Sequence, residues 1–278
     1  MPSNGGSEEN VMAVPDDWLA QTSMTEPGAL ARQCESHPAD VARLSRIVQG
    51  LLIHGERLAL YGADASAFGA VSRTTLPVGE RLAALVASDG LRLEEAREPT
   101  HRSVGTCRDF ALTLCAFLRA KGTAARLRCG FASYFRHGWE DHWVCEYWCD
   151  AESRWRLADA QLDATIAAAR ATGFDAADMP RDVFLTAGDA WLRCRTGEDD
   201  PERFGHGETR GLWFMAVNVI RDTLAVNNHE VSAWDSWRDA SPELRAVPEE
   251  ELAELDRLAR SPDDRPPPLA PPWLGRTG

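Results

Sequence analysis

Three residues near the middle of the chain have the types and the order of a thiol acyl-transfer site. Cys107 opens a predicted helix, His142 begins a predicted strand, and Asp159 ends the next predicted strand. A free thiol is mostly protonated at neutral pH, so it becomes a strong nucleophile only beside a base. That base works best when a third group fixes its orientation. The pattern therefore predicts a Cys-His-Asp triad.

Each of these residues also has a commoner, structural interpretation. Cys107 is compatible with a small buried residue at the start of a core helix. His142 alone is more often a surface or core histidine, and an aspartate at a strand end, such as Asp159, often caps a turn. Their order and spacing make the joint signal specific. All three lie within residues 107–159, whereas papain-type proteases place the histidine some 130–150 residues after the cysteine.

The segments that must position the triad change period along the chain. Helical periodicity over residues 107–120, stopped by Lys121 and Gly122, predicts a buried helix. Alternating patterns then predict three strands, the last two of them a hairpin. These strands are predicted over residues 125–134, 142–149 and 154–159.

The strand that begins at His142 should present its side chains alternately to two faces. His142, Val144 and Glu146 then share one face. If that face covers the helix that begins at Cys107, the imidazole can reach the sulfur. Asp159 on the neighbouring strand would lie within reach of the imidazole, since cross-strand Cβ atoms are about 4.5–5.5 Å apart.

Further helices are predicted on both sides of this core, at residues 39–53, 78–87, 180–194, 211–227 and 248–260. The ends of the chain differ in composition. Residues 1–15 are polar and predict a disordered amino terminus, while the prolines after Ser261 predict a flexible tail. We therefore expect one domain over residues 16–240, with a catalytic core at about 100–163 and a helical extension at about 164–240. A charged helix and the tail would follow over residues 241–278.

The bulk composition excludes some classes of protein and leaves others open. A net charge of −13 over 278 residues disfavours non-specific nucleic-acid binding. No stretch approaches the roughly 20 apolar residues of a membrane span, so no membrane association is expected. The amino terminus lacks the basic and apolar regions of a signal peptide. Seven cysteines without a disulfide-type spacing favour a reducing, cytoplasmic location.

These motifs resemble the transglutaminase-like superfamily of cysteine acyl-transfer enzymes. The resemblance rests on three segments, which are Gly105-Thr-Cys107-Arg-Asp-Phe-Ala, Asp141-His142-Trp143 and Trp155 through Asp159. It implies an α+β, papain-like core with helical additions at both ends. It also implies that Cys107, His142 and Asp159 form the triad, that a thioester forms, and that catalysis uses no metal. We expect no cofactor. Carboxy-terminal pieces, including residues 234–237, are similar to actinobacterial members known only by this domain.

The resemblance leaves the reaction open. We expect hydrolysis of an amide, ester or thioester, in which a peptide, amide or thioester is the acyl donor and water the acceptor. One alternative is an amide-forming acyltransferase or transglutaminase that uses an amine acceptor, possible in natural-product biosynthesis. An alternative from another class is a non-catalytic binding module that retains the fold, against which the intact triad argues.

Four further residues are candidates for contact with a substrate. Arg108 would bind a carboxylate or form a structural ion pair. Trp139 and Trp143 flank His142 and would line the site or shield it from water. Gln161 would bind the substrate or organise its loop.

The oxyanion that acyl transfer generates needs hydrogen-bond donors. The backbone N–H of Cys107 supplies one, and the segment before it is expected to supply another, with His101 and Arg102 as candidates. Zinc is disfavoured because Cys145 and Cys149 would share a strand face opposite His142, with no second Cys/His pair following.

Overall fold

The computed structural model describes residues 16–68, 76–135, 138–233 and 247–262. The amino terminus expected to be disordered (1–15), most of the proline-rich tail (263–278) and the segment 234–237 lie outside the described residues. The helices are α1 (Ala31–Ser36), α2 (Val41–Leu51), α3 (Val78–Asp89), α4 (Cys107–Ala120), α5 (Ala164–Arg170), α6 (Ala187–Arg195), α7 (Leu212–Val226) and α8 (Glu249–Arg260). The strands are β1 (Leu52–His54), β2 (Ser103–Gly105), β3 (Ala125–Ala132), β4 (Trp139–Cys149), β5 (Arg154–Ala158), β6 (Phe184–Thr186), β7 (Phe204–His206) and β8 (Thr209–Arg210).

The strands of the described chain form two sheets. In the larger sheet, β4 is central and pairs antiparallel with β3 along the whole length of β3. The predicted hairpin is present, since β5 pairs antiparallel with the second half of β4. Shorter strands extend the sheet: β6 lies beside β3, β7 pairs with the start of β4, and β8 pairs with β7. β1 and β2 form a separate parallel pair that leads directly into α4.

One face of the β3–β4 pair packs on α4. The side chains that share this core face with the helix are Ala125, Leu127, Cys129, Trp143, Cys145 and Tyr147. α4 contributes apolar residues on several sides, among them Phe110, Leu114 and Phe117, and all three are buried. The predicted substantial burial of this helix is confirmed, and so is the α+β, papain-like fold class.

The opposite face of β4 is covered by a different set of apolar residues. Val144 packs there with Phe135, Leu157, Ile166 and Phe184. Because side chains alternate along a strand, His142 and Glu146 share this face with Val144. The His142 face therefore does not cover α4, contrary to the arrangement considered for the sequence, since the body of α4 packs on the Trp143 face. The imidazole meets Cys107 at the end of the helix instead.

A second core joins the carboxy-terminal helices to the rest of the molecule. α6, α7 and α8 surround Trp191 and Phe214, which belong to this core. The charged helix α8 buries Leu255 and Leu258 in it. A domain boundary at residue 241 would therefore separate α8 from the core on which it packs.

Candidate active site

The position of Cys107 is set by a helix start that is tightly hydrogen-bonded. Thr106 caps α4, and its N–H donates to Asp109 Oδ2 at 2.8 Å in a capping box. Asp109 also forms an ion pair with Arg81 at 3.2 Å. A Cβ on Gly105 would lie 3.0 Å from Asp109 Cβ, so glycine permits this close approach. The first N–H groups of a helix lack intrahelical acceptors and attract negative charge, so Cys107 occupies a setting suited to a thiolate.

The imidazole of His142 is oriented by Asp159. Nε2 of His142 lies 2.8 Å from Oδ2 of Asp159, and the two residues are only 2% and 1% exposed. Nδ1 is therefore the ring nitrogen left to meet Cys107, with which His142 has a hydrogen-bond and charge interaction. Cys107 is partly exposed. The structure thus brings the three predicted residues together, with His142 in the middle.

The charge on His142 follows from these partners. Burial favours the neutral imidazole, but the carboxylate of Asp159 and the sulfur of Cys107 outweigh it. Together they raise the pKa of His142 from 6.5 to about 10. An opposite charge and hydrogen bonds to the charged form are the causes expected for such a rise. The arrangement therefore favours an imidazolium beside the thiol at neutral pH.

Asp159 is itself held in place by two more donors. The N–H of Gln161 donates to Oδ1 and the hydroxyl of Tyr134 donates to Oδ2, both at 2.8 Å. Burial, followed by the neighbouring charge of Asp159, raises the pKa of Tyr134 well above its usual value, so the phenol remains a donor. Sequence reasoning missed Tyr134 because it follows a strand end, and no local pattern signals that its partner is Asp159.

Aromatic rings shield the imidazole from water. The ring centroids of Phe135 and Tyr134 lie 4.7 Å and 5.9 Å from that of His142, both edge-on. Phe174 packs edge-on against Tyr134, and the guanidinium of Arg57 lies over Phe135. Water exclusion strengthens the attraction between charged groups, which supports the His142–Asp159 pair. These rings take the shielding place expected of Trp139 and Trp143.

Three of the four candidates for substrate contact have other positions. Arg108 is buried and donates to the backbone carbonyls of Glu230 and Val231, each at 2.8 Å. Trp139 stacks on Phe204 in the second core. Trp143 packs on the α4 side of the sheet. The side chains of Trp139 and Trp143 are committed to packing, which corrects the expectation for these two. Arg108 takes its structural alternative, because it also forms an ion pair with Asp109 at 3.6 Å.

The fourth candidate, Gln161, lies beside the triad. It is 2% exposed, and its side-chain Oε1 has no hydrogen-bond partner among the described residues. Its neighbour Asp163 organises the loop, because it caps α5 by accepting from the Ile166 N–H at 2.9 Å and also accepts from the Tyr61 hydroxyl. Both roles predicted for Gln161, substrate binding and organisation of its loop, stay predictions.

Within the described ranges, no group of three or more His, Cys, Asp or Glu side chains could hold a metal ion. All seven cysteines of the chain are described and none is in a disulfide. In the described part of the chain, no helix has the length and apolar character needed to cross a membrane.

Comparisons with known proteins find a family to which the central segment of the chain is similar. Residues 84–160 match the family model of the transglutaminase-like superfamily. The segment that contains Cys107, His142 and Asp159 is thus similar to that superfamily, which confirms the resemblance of the motifs. No curated protein matches the chain. Among solved structures, a candidate cysteine protease from Cytophaga hutchinsonii is similar, with 14% identity and a TM-score of 0.37. The match covers 63% of this chain and 47% of that protein, so this chain spans about half of its length.

Proposed function

We propose that this protein is a cysteine-dependent acyl-transfer enzyme of the hydrolase type, with Cys107, His142 and Asp159 as its triad. The superfamily match supports a cysteine-dependent enzyme in general. The observation that carries the specific proposal is the orientation of His142. Its Nε2 is hydrogen-bonded to Asp159, while the ring also interacts with Cys107 at the start of α4.

In the proposed first half-reaction, the sulfur of Cys107 attacks the carbonyl carbon of an amide, ester or thioester. A carbon–sulfur bond forms, and the carbonyl electron pair moves to oxygen. When the oxyanion collapses, the bond to the leaving group breaks and His142 gives that group its proton. The product is a thioester on Cys107, and Asp159 keeps the imidazole in place throughout.

In the second half-reaction, neutral His142 takes a proton from water, and the hydroxide oxygen attacks the thioester. The acid leaves and the Cys107 thiolate is restored beside an imidazolium. An amine acceptor would use the same steps and give an amide. Comparison of free acid with amine adduct separates the hydrolase from the acyltransferase.

A cytoplasmic location stays a prediction.

The proposal is tested with p-nitrophenyl acetate as a generic acyl donor. We expect rapid release of nitrophenolate and an acetyl group on Cys107, located by peptide mass spectrometry. His142→Ala should slow acetylation by about 10²–10⁴-fold, the range for loss of a general acid–base. Cys149→Ser and Cys194→Ser are matched controls, because both of these cysteines are also partly exposed.

The controls should acetylate at Cys107 like the unmodified protein. Equal labelling of Cys107, Cys149 and Cys194 would contradict the proposal. It would assign the protein to the alternative class, a binding module that retains the fold.

A further inference from the structure

A second histidine lies beside the start of α4 and has no part in the triad. His54 ends β1, which pairs in parallel with β2, and its Cα is in register with that of Gly105. The N–H of Gly55 donates to the carbonyl of Gly105 at 3.0 Å, which fixes the two strands at this point. Neighbouring strands are about 4.8 Å apart, so His54 lies next to the residue two positions before Cys107.

The side chain of His54 points toward the first turn of α4. A Cβ on Gly105 would face Asp109, at 3.0 Å from its Cβ. Side chains of residues in register on adjacent strands project from the same face of the sheet, so His54 faces the same way. Leu52, two residues earlier on that face, packs in the core that contains α4. Charge interactions of His54 with both Asp109 and His142 are consistent with this direction.

The tautomer of His54 is also set by its neighbours. Its Nδ1 accepts the N–H of Glu56 at 3.1 Å, so the proton of the neutral ring is on Nε2. Burial and the charge of Arg57 lower the pKa of His54 from 6.5 to about 4. The ring is thus a neutral N–H donor at neutral pH. Nε2 has no hydrogen-bond partner within the part of the chain that the structure describes.

We propose that Nε2–H of His54 is the second oxyanion-hole donor, acting with the backbone N–H of Cys107. This inference rests on the proposed acyl-transfer function. During attack by the Cys107 sulfur, the carbonyl oxygen gains the electron pair, and the two N–H groups stabilise that charge. A neutral imidazole can serve as such an electrophile without exchanging protons with the substrate. The proton that reaches the leaving group still comes from His142.

The two candidates expected to supply this second donor, His101 and Arg102, occupy other positions. His101 is exposed in a short 3-10 helix. Arg102 donates from Nε to the carbonyl of Arg97 at 2.9 Å, and its guanidinium lies over the ring of Tyr61. His54 therefore replaces both as the candidate donor.

The test compares two reactions of Cys107 that differ in whether an oxyanion forms. Acetylation by p-nitrophenyl acetate passes through a tetrahedral oxyanion, whereas alkylation by iodoacetamide displaces iodide and forms none. Three variants are made, His54→Ala, His54→Phe and His54→Gln. The Phe side chain fills the space without a donor, and the Gln side chain supplies an amide N–H.

We expect His54→Ala and His54→Phe to slow acetylation by about 10²–10³-fold, the usual cost of losing one oxyanion donor. Alkylation should change less than about threefold, and His54→Gln should recover much of the acetylation rate. His37→Ala is the matched control, since His37 is also buried and its ring contacts Phe117 farther along α4. It should leave both rates unchanged.

Two outcomes would overturn the role of His54. One is acetylation by His54→Phe at the rate of the unmodified protein, and the other is an equal loss in acetylation and alkylation. If His54→Ala does not fold, the comparison of Phe with Gln decides. Failure of the proposed function looks different, because the unmodified protein itself would then show no acetylation that depends on Cys107.

Discussion

The imidazole of His142 has different partners on its two sides. Asp159 accepts from Nε2, which leaves Nδ1 for the interaction with Cys107. The ring therefore cannot turn without the loss of one of these two contacts. Tyr134 shares the same carboxylate oxygen, Oδ2 of Asp159, as a further donor. At this scale, the orientation and the charge of one ring follow from three neighbours that come from separate parts of the chain.

The raised pKa of His142 predicts how stability changes with pH. The folded state binds this proton more tightly than the unfolded chain, whose histidines titrate near 6.5. The stabilisation is therefore complete below about pH 6.5 and is lost as pH rises through the folded pKa of about 10. We expect the free energy of unfolding of the unmodified protein, relative to His142→Gln, to fall by at least ~1.4 kcal/mol across that window.

Urea unfolding at several pH values measures this difference. Cys107→Ala serves as the control, because it removes one of the two groups that raise the pKa of His142. The fall should still begin near pH 6.5, where the unfolded histidine titrates, but it should end at a lower pH and be smaller than in the unmodified protein. A difference that stays constant between pH 6.5 and 10 would show that His142 gains no proton affinity on folding.

At the scale of elements, the strand that carries His142 is fixed by close backbone contacts. Gly130 of β3 is in register with His142 on one side and with Thr186 of β6 on the other. A Cβ on Gly130 would lie 2.1 Å from the carbonyl oxygen of Leu185. Backbone atoms cannot retreat as a flexible side chain can, so the β6–β3–β4 arrangement requires glycine here.

We predict that Gly130→Ala destabilises the protein by about 1–3 kcal/mol, the cost of overpacking. It should also lower the rate of Cys107 acetylation, because β3 must shift relative to β4. Gly173→Ala is the control, since a Cβ there meets no atom within 4 Å. Urea unfolding and the acetylation assay are the measurements. An equal effect of both substitutions would contradict the close contact at Gly130.

Sequence reasoning succeeded where the signal was local. Helix α4 has the predicted bounds, because its periodic pattern from Cys107 and its stop at Gly122 can both be read from neighbouring residues. The helix predicted over 39–53 instead ends at Leu51 and gives way to β1, since β1 exists only by pairing with the distant β2. The segment predicted as a helix over 180–194 similarly contains β6 (Phe184–Thr186), and α6 begins only at Ala187.

The same reason explains which site residues were found. Cys107 starts α4 and Asp159 directly follows β5, and the types of all three residues already indicate chemistry. His142 is predicted to begin its strand, but β4 starts three residues earlier, at Trp139. His54 sits in a three-residue strand whose partner comes much later, and the role of Tyr134 depends on reaching Asp159 across the sheet. Short segments that pair with distant ones show no hydrophobic periodicity in the sequence, so the sequence alone does not reveal these two residues.

At the scale of the whole molecule, the second core links the last described helix to the sheet. Leu255 of α8 is fully buried there, and Trp191 of α6 donates from its indole to Asp256 of α8 at 2.7 Å. Phe131, which is on β3, packs in the same core. Unfolding of α8 should therefore affect the strands that support the site.

We predict that Leu255→Ala lowers the free energy of unfolding by about 2–5 kcal/mol, as for other buried leucines. The transition should remain single when followed by tryptophan fluorescence and by circular dichroism. Leu60→Ala, at a position that is 37% exposed, should change stability by less than about 0.5 kcal/mol. An unaltered midpoint for Leu255→Ala would show that α8 is independent of the domain, as the boundary expected at residue 241 implies.

The hydrogen bonds of Arg108 to the carbonyls of Glu230 and Val231 have a consequence for the order of folding during synthesis. A ribosome completes α4, β4 and β5 well before it adds Glu230 and Val231, whose carbonyls hold Arg108 beside Cys107. We expect a nascent chain that ends soon after Asp159 to contain every triad residue and still lack a fixed Cys107. The reactive thiol would be fixed only after Glu230 and Val231 have been synthesised and have accepted the bonds of Arg108.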